Sequence, residues 1–206
     1  TPGAGTATAP SPGPGVSAVL PRSEALSRSD RVAIDTPTLK GSIALRGARL
    51  DDLELKKYRE TVRPDSSNIV LLSPQGSEAP YFAQFGWQPA PGSDIPLPGP
   101  DTEWTVIEGD TLTPGQPVVL GWDNGQGLVF RRTVSVDADY LFTVEQSVEN
   151  AGAQDVTLFP YALIRRVGEP VTEGFFILHE GLIGVLAGSL RSEEHTSELQ
   201  SLSDIS

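Results

Sequence analysis

Along most of this chain, apolar and polar residues alternate with the two-residue period of strands, not the longer period of helices. The run YLFTVEQSV (140–148) shows it best. Tyr140, Phe142, Val144, Gln146 and Val148 share one face, and Leu141, Thr143, Glu145 and Ser147 the other. Short β-branched and aromatic runs of this kind predict strands over 31–35, 41–46, 49–57, 67–73, 80–87, 103–108, 117–123, 127–136, 139–149, 156–167 and 174–179. Turn residues separate them: Asp123-Asn124-Gly125 between two runs, and Glu149-Asn150-Ala151-Gly152 between two more. Residues 88–101 (QPAPGSDIPLPGPD) carry too much Pro and Gly for a central strand and read as a loop. From 31 to 190 nothing holds helical periodicity over ten residues. The predicted fold is therefore all-β, an antiparallel sandwich.

The two ends fall outside this pattern. Residues 1–30 contain five Pro, four Gly, five Ser and five Ala, with charges that cancel. Such a segment buries too little apolar surface to offset its ordering entropy, so a disordered N-terminal linker is expected over 1–30. At the other end, Arg191 to Ser201 (RSEEHTSELQS) reads as an in-frame translation of a common short-read sequencing adapter. The expected organisation is thus a linker (1–30), a sandwich domain (31–190) and a foreign tail (191–206). The tail's alternative is a short capped helix, with Ser192 as N-cap and Glu193 and Glu194 in its first turn.

Composition narrows the function classes. The 206 residues include no cysteine and no methionine and carry a net charge of −12. Without cysteine there is no disulfide framework, thiolate zinc site, iron–sulfur cluster or thiol nucleophile. The acidic balance argues against unaided nucleic-acid binding. No uncharged apolar run reaches the ~18 residues of a membrane-spanning helix. The missing methionine predicts either a mature N-terminus made by processing or a fragment of a longer protein.

Candidate chemistry is sparse. With the tail set aside, His179 is the remaining histidine, at the end of an apolar run beside Glu180. It reads as a strand-end residue, because no nucleophile or substrate acid is signalled near it. Asp137 and Asp139 are spaced for calcium but lack a glycine-bearing oxygen loop, so a turn is expected. Spacing alone leaves open a glycosidase-type pair at Glu173 and Glu180, and no other feature points to one. Asp51-Asp52 opens an alternating strand with its charges in solvent. The doublets Lys56-Lys57, Arg131-Arg132 and Arg165-Arg166 each put at most one charge inward. An inward arginine would require a carboxylate partner, so solvated edges are expected. Gly121, Gly125 and Gly127 read as hairpin glycines, and most of the thirteen aromatics between Tyr81 and Phe176 as core. No catalytic, cofactor-binding or metal site is expected, and the partner-binding residues are unknown at this level.

Several long stretches do carry a likeness. TLKGSIALRGARLDDLELKKYRET, VLLSPQGSEAPYFAQFGW (70–87), GDTLTPGQPVVLGWDNGQGLVFRRTVSVDADYLFTVEQSVEN (109–150) and FPYALIRRVGEPVTEGFFILHEGLIGVL (159–186) resemble the first periplasmic domain of the YidC membrane protein insertases, in their alphaproteobacterial form. The resemblance runs from about Arg31 to Leu186. It implies a β-super-sandwich similar to galactose-mutarotase-like sugar-binding domains. In that family the domain follows a transmembrane helix and a tether, and precedes a five-helix core that performs insertion. The family's hydrophilic groove and its arginine lie in that core, so no insertion residue is assigned here. The implied protein is no enzyme and takes no cofactor. Its place is the periplasmic face of the bacterial inner membrane, as an accessory module meeting Sec translocon components and nascent membrane proteins. The alternatives are a mutarotase-like enzyme, which would need histidine and a carboxylate around a sugar, and a carbohydrate-binding module using exposed aromatics.

Overall fold

A computed structural model describes residues 19–168 together with the backbone of 183–186 and 189–192. The chain divides into two compact units, one through Gly168 and one from Glu169 onward. The first consists of a short helix α1 (Arg22–Leu26) and strands β1 (Arg31–Asp35), β2 (Leu39–Ala44), β3 (Arg49–Arg59), β4 (Asn68–Leu72), β5 (Tyr81–Pro89), β6 (Thr105–Glu108), β7 (Thr111–Leu112), β8 (Val118–Asp123), β9 (Leu128–Val136), β10 (Phe142–Asn150) and β11 (Leu158–Arg166). In the second, β12 (Ile183–Leu186) and β13 (Ser189–Ser192) form an antiparallel pair.

The strands of the first unit make two sheets, as the alternation requires. One runs β11-β5-β3-β2-β1-β7 with β4 added beside β3; the other runs β10-β9-β8-β6. Strand β9 shows why they stack. Leu128, Phe130, Arg132, Val134 and Val136 point inward and are buried, while the intervening residues are only half-covered. Facing them from the first sheet are Val32, Ile34, Leu39, Ile43, Leu53 and Trp87, and together these side chains form one continuous core. On β10 the predicted faces are both realised: Phe142, Val144, Gln146 and Val148 are half-buried, and Thr143, Glu145 and Ser147 are exposed.

Several expectations need correction. Of the predicted linker, residues 19–30 are folded: Leu20 and Ala25 are buried, and α1 packs beside the first sheet. Predicted strand 41–46 begins earlier, at Leu39, and stops at Ala44, because Gly47 and Ala48 take positive φ values of 71° and 46° in the turn that follows. The fold is not purely antiparallel, since β7 joins β1 in parallel through Ala33↔Thr111 and Ile34↔Leu112. A two-residue strand leaves no periodic signal to read. The strand expected over 139–149 starts at Phe142, because Asp137 Oδ1 accepts the N–H groups of Asp139 and Leu141 and closes a turn with Tyr140 at φ 77°. Gly121 is no hairpin residue. It lies mid-strand in β8, where the Ile107 side chain occupies the space a Cβ would need. Gly125 and Gly127 do sit in the β8–β9 hairpin, at φ 70° and 91°. The strand expected over 174–179 lies outside the described residues. So does the predicted foreign tail, apart from the backbone of Arg191 and Ser192 in β13.

Candidate functional site

The charged residue that matters most was expected at a solvated edge. Arg132 is 1% exposed, in the middle of β9 and between the two sheets. Register places it opposite Leu120 of β8 and Gln146 of β10. Among the described residues it has no carboxylate partner. One guanidinium nitrogen donates to Ala48 O at 2.8 Å; another donates to Phe85 O at 2.8 Å and to Gln146 Oε1 at 3.3 Å. The first two acceptors are main-chain carbonyls of the first sheet and its turns, so one side chain of the second sheet fastens both layers. The charge rests against aromatic faces, with its centre 4.8 Å from the Trp104 ring centroid, 5.6 Å from Phe85 and 5.8 Å from Trp87. Ring quadrupoles and carbonyl dipoles thus take the place of a counter-ion. Burial lowers the guanidinium to about 10, which leaves it a cation at neutral pH. Its Nε has no hydrogen-bond partner among the described residues.

Trp87 extends this cluster outward. It stacks on Trp104 at 6.3 Å between centroids and meets Phe130 edge-on at 5.0 Å. Trp87 also lines an open cleft of about 440 Å³ between the sheets, with Gln146, Val148, Asn150, Asp155 and Leu158 on its walls. A neighbouring hollow of about 400 Å³ shares Asn150, Asp155 and Val156 and adds Asn124, Gln126 and Gln154. The cleft lies here because the chain changes sheets between β10 and β11. The predicted turn at Asn150-Ala151-Gly152 is present, with Asn150 Oδ1 accepting from Gly152 N at 2.9 Å. It carries the chain from the edge of one sheet to the edge of the other and does not close a hairpin. Gln146 belongs both to the cleft wall and to the Arg132 contacts, so the buried cation fixes a cleft side chain.

A second charge cluster occupies the first sheet beside α1. Asp51 and Asp52, expected in solvent, are 2% and 8% exposed. A bulge between Ser42 and Ile43 breaks the simple alternation on which that expectation relied. Arg31 pairs with Asp51, and Arg22 with Asp52 and with Glu54, the latter at 3.0 Å. Ser42 Oγ donates to Asp52 Oδ2 at 2.5 Å. Burial raises the Asp51 carboxyl and outweighs the opposing pull of Arg31. A raised carboxyl binds a proton more tightly folded than unfolded. Asp51 therefore erodes stability as pH rises from the ordinary carboxylate value through its raised one. Asp51→Asn is expected to flatten the fall in urea-measured stability across that window, and an unchanged pH slope would contradict the assignment.

The remaining charged candidates separate clearly. Lys56 pairs with Asp35 and donates to Thr36 O at 2.6 Å. Arg165 and Arg166 are both exposed, Arg166 with its charge 5.4 Å from the Tyr81 ring centroid. Asp137 forms the expected turn, and among the described residues no group of three or more metal-type ligands comes together. His179, Glu180, Glu173 and His195 lie outside the described residues. Of the aromatics, Phe82, Trp87, Trp104 and Phe130 are buried as expected, whereas Phe159 is 53% exposed on β11. Arg132 escaped sequence reasoning on one point. Its inward parity was legible from the apolar Phe130 and Val134 on either side, but a ring-and-carbonyl cage for its charge was not.

Geometry and chemistry together define a two-sheet β-sandwich with a solvent-open cleft whose floor rests on a caged arginine. A family profile described as the YidC periplasmic domain matches residues 31–204, and this chain belongs to that family. It is 59% identical over 179 residues to a membrane protein insertase YidC of Methylobacterium nodulans, covering 87% of this chain and 29% of the relative. The YidC of Methylorubrum extorquens is 55% identical over 188 residues, 90% of this chain and 30% of that protein. That of Bradyrhizobium diazoefficiens is 53% identical over 186 residues, again 90% and 30%. The chain therefore spans under a third of the length of these relatives.

Proposed function

We propose that this domain is a partner-binding accessory module of an insertase at the periplasmic face of the bacterial inner membrane, and that it is not an enzyme. The observation that carries the reading is the cleft over Trp87. Its amides, carboxylate and apolar walls suit an extended polypeptide, which offers both main-chain polar groups and apolar side chains. Among the described residues no helix is long and apolar enough to cross a membrane. Insertion itself is accordingly assigned to other parts of the longer family proteins, with nascent membrane proteins and Sec translocon components as the partners this domain meets.

Site-specific photocrosslinking tests this. A photoreactive residue at Val156, which lines the cleft, is compared with one at Glu145 on the exposed face of β10, both in a full-length insertase carrying this domain. The expected result is adducts to nascent inner-membrane proteins or translocon subunits from position 156 and none from 145. Equal labelling from both positions, or none from either, would count against the cleft. A carbohydrate-binding reading draws on the same lining, because Asn124, Gln126, Asn150 and Gln154 crowd the adjoining hollow. Chemical-shift changes at these amides on adding glycans, with no crosslinks from 156, would favour it.

A further inference from the structure

The first described residues form a small attachment held by two ion pairs, two buried apolar side chains and a main-chain hydrogen bond. Leu20 N–H donates to Gly76 O at 2.9 Å, making a single parallel bridge to Ser77. Helix α1 has five residues, Pro21 at its N-cap and no side-chain cap bond. Isolated helices shorter than about 12–15 residues are marginal in water, so α1 depends on being docked. Two apolar side chains, Leu20 and Ala25, are buried there. Arg22 adds ion pairs to the largely buried Asp52 and the more open Glu54, with side chains 26%, 12% and 26% exposed, so salt screens the Glu54 arm more than the Asp52 arm. Beyond Ser27 the attachment is of another kind. Leu45 N donates to Asp30 O at 2.8 Å and Arg46 N to Ser29 Oγ at 3.0 Å, and β1 then enters the sheet.

We propose that Val19–Leu26 is a releasable strap, latched by Arg22 on Asp52 and Glu54 and hinged near Ser27. Docked, it fixes the position of Val19 on the domain. Released, these eight residues free up to roughly 26–29 Å of chain, at ~3.3–3.6 Å per residue. The effect on reach rests on the proposed place of the domain at the membrane face; the latch itself does not. Release leaves Asp52 and Glu54 uncompensated beside Asp51, which keeps Arg31, so the strap returns when salt falls.

Amide hydrogen exchange on the full chain tests the latch independently of any insertase activity. The Leu20 amide is expected to exchange about tenfold faster in Arg22→Ala, and several-fold faster in Glu54→Gln, while Leu120 and Phe130 amides keep their protection. Raising salt from ~0.05 to ~0.5 M should speed Leu20 exchange in the natural sequence and not in Arg22→Ala. The chain has no cysteine, so Val19→Cys with Glu145→Cys admits a clean spin-label pair. Its distance distribution should be narrow, and broad once Arg22→Ala is added. Leu20 exchange matching that of Phe130, or left unchanged by Arg22→Ala, overturns the proposal. If instead the latch behaves as expected and the cleft yields no crosslinks, the strap stands and the assigned function fails.

Discussion

Arg132→Ala is expected to cost about 3–5 kcal/mol of unfolding free energy, read from urea denaturation at neutral pH. Ala48 O, Phe85 O and Gln146 Oε1 would each lose a donor. A buried polar group left unsatisfied costs about 1–3 kcal/mol. The space between Trp104, Trp87 and Phe85 would also be emptied. Against this stands the desolvation cost of the cation itself, the same cause that lowers its pKa. Geometry decides the balance: two of the acceptors are main-chain carbonyls that cannot turn to water without moving the turn after β2 or strand β5. Arg132→Met tells volume from hydrogen bonding, since it refills the space and still strands the carbonyls; it should fall between the natural sequence and alanine. Arg132→Lys keeps the charge but loses the two-pronged donor, and should recover only part of the loss. A cost below about 1 kcal/mol for alanine, the range of an ordinary surface change, would mean that desolvation cancels the whole cage.

Trp87→Ala is expected to be comparably damaging, about 3–5 kcal/mol, for a different reason. The indole stacks on Trp104, meets Phe130 edge-on, lies under the Arg132 charge and floors the cleft. Truncation joins the cleft to the space beneath it and lets water approach the cation. The two substitutions share contacts, so their effects should fall short of additivity in a double-mutant cycle. A sum within about 0.5 kcal/mol of the separate losses would show that Trp87 and Arg132 act independently. Near-ultraviolet circular dichroism supplies a second reading, since removing Trp87 takes away the partner of Trp104's stacked pair.

Most of the architecture follows from local patterning. Period-two runs in β9 and β10 state which side chains face the core, and the turn chemistry of Asp123-Asn124-Gly125 states where the chain reverses. There Asp123 Oδ1 accepts from Gly125 N at 2.8 Å, a contact two residues long and therefore written into the sequence. Features that failed to show were those whose partners lie far along the chain. The short β7 pairs with β1 across some eighty residues, and the folding of residues 19–26 depends on Asp52, Glu54 and Gly76. Composition alone described that segment as a linker because it reports what a stretch can bury by itself, not what a neighbouring surface offers it. Likewise, β10 and β11 were legible as strands joined by a turn, but their assignment to different sheets, which opens the cleft, was not.

The sequence by itself determined the all-β fold, the faces of β10, the β8–β9 turn, the absence of cysteine chemistry in this chain and, through long unbroken stretches of likeness, the family. Tertiary structure alone decided where charge is buried. Alternation marks Arg132 and Asp51 only as positions on a strand. Whether such a position is a solvated edge or a caged interior depends on the rings, carbonyls and counter-charges that distant segments bring to it. Trp104, Phe85 and Ala48 around one, and Arg31 against the other, are separated from them in sequence and meet them only when the sheets stack.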